Sequence, residues 1–258
     1  REVEIMNKKT PAEKKSVNKR KLAADILRKL VVIVMLSVFA LDVYTLVLCN
    51  KYEKRYSFTA ETFDHKSGDD RIHFLNTANS DCILIETNGH FALVDSGEGN
   101  RNPRKKTEYH GFRDDVINYL KKVAAGKDGK AHLDFILGTH CHYDHYGNFE
   151  DIIKDDGIII DKAYFKTFDS GVGTNLESEG WGNAETYNAI MAALKEKDIP
   201  VISDIPDKEF MFGDFKLKFF NSVTPDDLKG NGENAASIGI KLTKGERTAF
   251  LAADFTSN

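Results

Sequence analysis

LDFILGTHCHYDHYGN, residues 133–148, sets a short apolar run against a loop crowded with potential metal ligands. Leu133 to Leu137 has the length and composition of a buried strand, and Gly138 ends it. His140 and His142 follow two residues apart. Side chains at that spacing in an extended loop face the same side, so the two imidazoles can share one metal ion. Asp144 and His145 come next, and a carboxylate beside an imidazole suits a second divalent ion, zinc first, with manganese or iron as alternatives. Cys141, at the alternate position, is expected to point away from the metal. Four potential ligands within six residues at the end of an apolar strand are a strong signal. The remaining histidines, His65, His73, His90, His110 and His132, lack such a context and receive no role.

Two aspartates end apolar runs of the same kind. Asp95 closes HFALVD and precedes Ser96-Gly97-Glu98-Gly99. Alone it is a turn residue; placed ahead of the histidine loop, it is expected to orient that loop through hydrogen bonds. Asp254 closes AFLAAD. A carboxylate at such a strand end is expected to bridge two metals about 3.5–4 Å apart, the arrangement that supports displacement at phosphorus.

The sequence around these points alternates strand and helix. Residues 71–75, 82–86 and 91–95 are β-rich runs separated by Asn-Ser-Asp and Asn-Gly-His, and predict a meander. Apolar residues recur at helical spacing in 112–124 and 184–197. A short helix is expected at 148–154 and a strand at 157–166. Strands follow at 210–212, 215–221, 237–243 and 248–253, giving a layered α/β (α+β) domain.

With 258 residues, 41% hydrophobic and 29% charged, the chain has ordinary globular composition and can bury a sizeable core. Its charge is uneven. Thirteen Lys and Arg against six Asp and Glu give residues 1–56 about +7, which leaves about −11 for the rest of a chain whose total is −4. Leu30 to Cys49 carries Asp42 as its one charge and is long enough to cross a bilayer. The basic residues before it, Lys8 through Lys29, favour a cytoplasmic N-terminus and an extracytoplasmic remainder. Leu46, Val47 and Leu48 are unlike the small residues of a cleavage site, so a retained single-pass anchor is expected. The chain thus divides into a basic cytoplasmic tail (1–29), a transmembrane anchor (30–49), a polar linker (50–70) and a catalytic domain (71–258). Cys49, Cys82 and Cys141 are too few and scattered for a disulfide framework.

The succession IHFLNTANSDCILIETNGHFALVDSGEG, LDFILGTHCHYDHYGN and FLAADF resembles the metallo-β-lactamase superfamily in its usual order. Within it the likeness is greatest to the catalytic domain of the cell-wall phosphorylcholine esterase, with extracellular competence-type DNA-processing domains next. The resemblance covers about residues 71–258 and implies an αββα sandwich. It implies that His140 and His142 bind one metal, Asp144 and His145 the second, and Asp254 both, with Asp144 also counted as catalytic and Asp95 behind the ligands. The implied chemistry is metal-dependent hydrolysis at phosphorus or a carbonyl. The family also expects one or two further histidines after the bridging aspartate, so the domain is expected to be incomplete at its C-terminus. No histidine lies between His145 and Asp254, which argues against a true β-lactamase.

Three functional readings follow. A membrane-anchored phosphodiesterase acting on phosphorylcholine or another cell-envelope phosphodiester leads. A competence-like nuclease is the enzyme alternative, disfavoured by the acidic domain. A tethered binding module that keeps the fold without chemistry is the third. Trp181, Tyr187 and Tyr143 could wall a choline-like cation, and the basic loop 100–106 could meet phosphate. Core packing and a solvated loop are the plainer readings.

Overall fold

The structure, a computed structural model, describes residues 11–56, 69–102, 107–108, 111–222 and 229–256. His65, His110 and the basic positions 104–106 lie outside the described residues. Two compact units are present, residues 1–59 and 60–258.

The first unit contains one helix, α1 (Pro11–Tyr56). Its Lys21–Lys51 portion is long and apolar enough to cross a membrane, and its side chains are exposed. The helix overruns the expected anchor at both ends, taking in most of the basic tail and the start of the expected linker. Pro11 fits a first helical position, and no Gly or Pro interrupts the chain from Ala12 to Tyr56. Ser37 and Thr45 donate their hydroxyls to the carbonyls of Ile33 and Leu41, each at 2.9 Å, so neither needs water.

The second unit is a two-sheet sandwich. β1 (Arg71–Phe74), β2 (Ile83–Thr87) and β3 (His90–Val94) form the expected antiparallel meander, and β4 (Arg101–Asn102) with β5 (Thr107–Glu108) forms a separate two-stranded pair. β3 then pairs in parallel with β7 (Phe135–Leu137), which pairs with β9 (Ala163–Tyr164), which pairs with β10 (Val201–Ile202). β11 (Phe210–Phe212), β12 (Phe215–Phe220), β13 (Gly239–Lys244) and β14 (Arg247–Leu251) make a second, antiparallel sheet. Alternation along the strands sorts side chains between two cores. Leu84, Leu93 and Ile136 pack with α2 (Arg113–Val123), α4 (Phe149–Lys154) and α6 (Asn183–Glu196). Ile85, Val94, Phe135 and Leu137 face Leu217, Phe219, Ile240 and Leu242 of the second sheet. Phe135, Phe149, Phe165 and Phe219 are fully buried, each contributing about 1.5–3 kcal/mol.

Several expected boundaries change. The run 133–137 is two strands: β6 (Ala131–Leu133) pairs with β8 (Ile158–Ile160), while β7 belongs to the main sheet. Asp134 makes the break, its carboxylate accepting from Phe91 N at 3.0 Å and standing 2.7 Å from His90 Nδ1. Residues 157–166 divide in the same way into β8 and β9. Of the four layers of an αββα sandwich, the described residues supply α, β and β. Met211 and Phe250 stand exposed on the second sheet.

Candidate metal centre

β3 and β7 run parallel with Val94 opposite Leu137, so the residues that leave their C-terminal ends emerge side by side. Asp95 N continues the ladder to Leu137 O at 2.9 Å. The Asp95 backbone then turns into the left-handed region, φ 54°, which aspartate tolerates better than most residues. Its Oδ1 accepts from Thr139 N at 2.8 Å; its Oδ2 accepts from Thr139 Oγ1 at 2.7 Å and faces His145 Nδ1 at 2.8 Å. Asp95 is thus hydrogen-bonded to both Thr139 and His145, at the two ends of the histidine loop.

A second clasp joins the same two segments. Ser96 N and Oγ both donate to His145 O, and Asn148 donates from its backbone N to Ser96 Oγ and from Nδ2 to Ser96 O. Gly99 and Gly147 then meet backbone to backbone. A Cβ on Gly99 would lie 2.2 Å from Gly147 O, and one on Gly147 would lie 2.4 Å from Gly99 N. These contacts seat α3 (Tyr143–Tyr146), a single turn begun by His142, against the Asp95 turn.

Within that frame His140 Nε2 lies 3.1 Å from His142 Nδ1, and the His140 and His145 rings are 4.1 Å apart. All three imidazoles are buried. Ligand atoms of His140, His145 and Asp254 fall within 4.8 Å of one another, as do those of Asp81, Asp95 and His145. Asp254 stands in the turn after β14, which ends at Leu251 and not at the expected Ala253; Oδ1 is 3.5 Å from His145 Nε2. Asp144 occupies the first turn of α3, partly exposed and outside both groups. The geometry therefore draws His140 and His145 together and does not by itself mark off two ligand pairs. Cys141 turns away, as expected, its Sγ donating to Asn183 O at 3.3 Å, and burial pushes its thiol pKa well above the ordinary value.

The electrostatics suit a cation. Burial, then the neighbouring His145 and His142, hold the His140 pKa well below the ordinary imidazole value, leaving a neutral nitrogen donor. Burial also works against charge on His145, but Asp95 and then Asp254 and Asp144 outweigh it and lift its pKa to about 11. Burial, and the nearby carboxylates Asp95, Asp254 and Asp144, raise Asp81. The hydrogen bond from His145 lowers Asp254. A field that charges a buried imidazole so strongly favours positive charge at that spot, and imidazole nitrogens with carboxylate oxygens are a donor set that fits a divalent ion.

Two site residues escape the sequence reading. Asp81 looks like an ordinary turn residue, and no local pattern distinguishes it. Glu177, on α5 (Asn175–Gly180), shows in the sequence only as the last member of a Thr-x-x-Glu capping box with Thr174. It faces His142 Nε2 at 2.7 Å. Burial would raise its pKa, but donors from Thr174, Glu233 and His142 hold it low. The three aromatics considered as a wall do not converge. Trp181 covers His142 with ring centres 5.0 Å apart, Tyr143 accepts from Arg101 N at 3.0 Å, and Tyr187 pairs with Phe168.

A model of the metallo-beta-lactamase superfamily matches residues 75–223. Solved structures are similar at low identity and low TM-score. The metallo-beta-lactamase fold protein YhfI from Bacillus subtilis is 17% identical over 73% of this chain and 60% of its own, with a TM-score of 0.38. BJP-1, a subclass B3 metallo-beta-lactamase of Bradyrhizobium japonicum, is 17% identical over 73% of this chain and 60% of its own, at 0.40. A metallo-beta-lactamase of Cronobacter sakazakii with a HARLDQ motif is 14% identical over 69% and 60%, at 0.40. The chain thus spans about three fifths of the length of these structures. No curated protein matches its sequence.

Proposed function

Because the chain belongs to the metallo-beta-lactamase superfamily, we propose that it is a metal-dependent hydrolase tethered by α1, with its domain outside the cytoplasmic membrane and a cell-envelope phosphodiester as substrate. The observation that carries the hydrolase reading is the convergence of buried His140 and His145 with Asp254, and of His142 on His140, at a loop held by Asp95. In this reading His140 and His142 would hold one ion and Asp144 and His145 the second, with Asp254 contributing to both. When bound, the ions lower the pKa of a water and offset charge on the scissile group.

The chain's own residues supply position. Asp95 fixes His145 through Nδ1 and leaves Nε2 toward Asp254. Thr139 and Ser237 place hydroxyls 3.1 and 3.2 Å from His140 Nδ1, which leaves Nε2 as its inward atom. Asp144, in the first turn of α3, has solvent access. The phosphodiester rests on the sequence likeness to the phosphorylcholine esterase and on a bridging carboxylate suited to displacement at phosphorus. The charge of about −11 carried by residues 57–258 weighs against DNA.

The test is a parallel assay of the full chain in detergent on bis-p-nitrophenyl phosphate, p-nitrophenyl phosphorylcholine and single-stranded DNA, with metal content measured on the same sample. Turnover of a phosphodiester with bound metal, abolished in His142→Ala, supports the proposal. Metal-free protein without turnover after zinc or manganese is supplied overturns it, as does DNA cleavage alone for the substrate.

A further inference from the structure

Glu177 is 5% exposed, and three donors fix it. Oε1 faces His142 Nε2 at 2.7 Å and accepts from Glu233 N at 3.1 Å, while Oε2 accepts from Thr174 N at 2.5 Å. Two backbone bonds, Gly230 N to Gly171 O at 2.8 Å and Gly232 N to Val172 O at 3.0 Å, tie the segment before α5 to the turn that carries Glu233. Gly232 has φ 94°, and a Cβ there would come within 3.3 Å of Oε2, so a glycine lets this turn close on the carboxylate. Trp181 shields the His142 ring at 5.0 Å. On the ring's far side Nδ1 lies 3.1 Å from His140 Nε2. An imidazole that donates its Nε2 proton to a carboxylate presents an Nδ1 lone pair, and such a partner also strengthens the imidazole as a donor.

We infer that Glu177 is a positioning residue of the metal centre, holding His142 in the tautomer and orientation that offer Nδ1 to a metal. The inference rests on the reading of His142 as a metal ligand. It gives a helix outside the histidine motif a share in metal affinity, and it explains why a capping glutamate of a six-residue helix is buried against an imidazole.

The experiment measures Zn(II) affinity and stoichiometry by competition with a chromophoric chelator, and Co(II) absorption spectra, for the full chain in detergent and for Glu177→Ala, Glu177→Gln and Thr174→Ala. Glu177→Ala is expected to bind Zn(II) about 10- to 100-fold more weakly at unchanged stoichiometry. Glu177→Gln keeps an acceptor but loses the charge, and should fall between the two with a shifted Co(II) spectrum. Thr174→Ala removes the cap hydroxyl but keeps the backbone N–H to Oε2, and should weaken Zn(II) binding far less than Glu177→Ala does. If Glu177→Ala does not fold, Glu177→Gln decides, and parental affinity with a parental Co(II) spectrum overturns the inference. Equal weakening in Thr174→Ala overturns it by making the role one of helix stability. Loss of one metal equivalent overturns it by making the carboxylate a ligand. A parent chain that binds no metal instead sinks the reading of the site itself.

Discussion

Asp95 accepts two hydrogen bonds from Thr139 and pairs with His145, and it does so 1% exposed. Replacing it with alanine leaves a buried backbone N–H and an imidazole N–H unpaired and removes one of the two partners of the Thr139 hydroxyl. Asp95→Ala should cost about 2–5 kcal/mol in urea unfolding, and Zn(II) affinity should drop with it; a variant of parental stability would show that water replaces the carboxylate. Glu233 gives a pH-dependent case. Burial, with Glu177 beside it, raises its pKa to about 7 despite Lys166, and Asp169 adds to the rise. Between the ordinary glutamate value and about 7 the folded chain binds more protons than the unfolded one, so stability falls as pH rises through that window and levels off above it. Glu233→Gln should therefore stabilise the domain by about 1–3 kcal/mol at pH 8 and little at pH 5. Thermal unfolding at both pH values checks this, and equal shifts at the two would refute it.

At the scale of elements, the long amphipathic helices were legible and the short strands were not. Helical periodicity placed residues 112–124 and 184–197 within one residue of α2 and α6 at each end, because each buries one continuous stripe. The run 133–137 reads as one strand since Leu133 and Phe135 to Leu137 are apolar whichever sheet receives them; the pairing of β6 with β8 divides it. The joint between the Asp95 turn and α3 is steric. In Gly147→Ala the new methyl meets Gly99 N and Tyr143 O, neither of which can rotate away. That substitution should cost about 1–3 kcal/mol and weaken metal binding by displacing His145, whereas metal affinity equal to the parent's would show that the joint yields without moving the loop. Phe149→Ala in α4, fully buried beside Phe165, should cost about 3–5 kcal/mol and leave the metal loop's ligands in place.

For the whole molecule, the proposed metal would be linked to the fold. Ions bound by the native site alone stabilise it by about 2.7 kcal/mol at a hundredfold excess over Kd, so chelation should lower the melting temperature and zinc should restore it; an unchanged melting curve would count against the site. By itself, the sequence determined the histidine loop, its place after an apolar strand, the aspartate at the end of β3, the apolar segment long enough to span a membrane and the uneven charge. These are properties of local pattern, carried by residues close together in the chain. Tertiary structure alone decided that Asp95 reaches Thr139 and His145, that Asp81 joins them, and that Glu177 backs His142. Those partners lie 35 to 50 residues apart for the bonds that matter most. Parallel pairing of β3 with β7 and the docking of α5 bring them together, and no spacing within the sequence encodes that proximity.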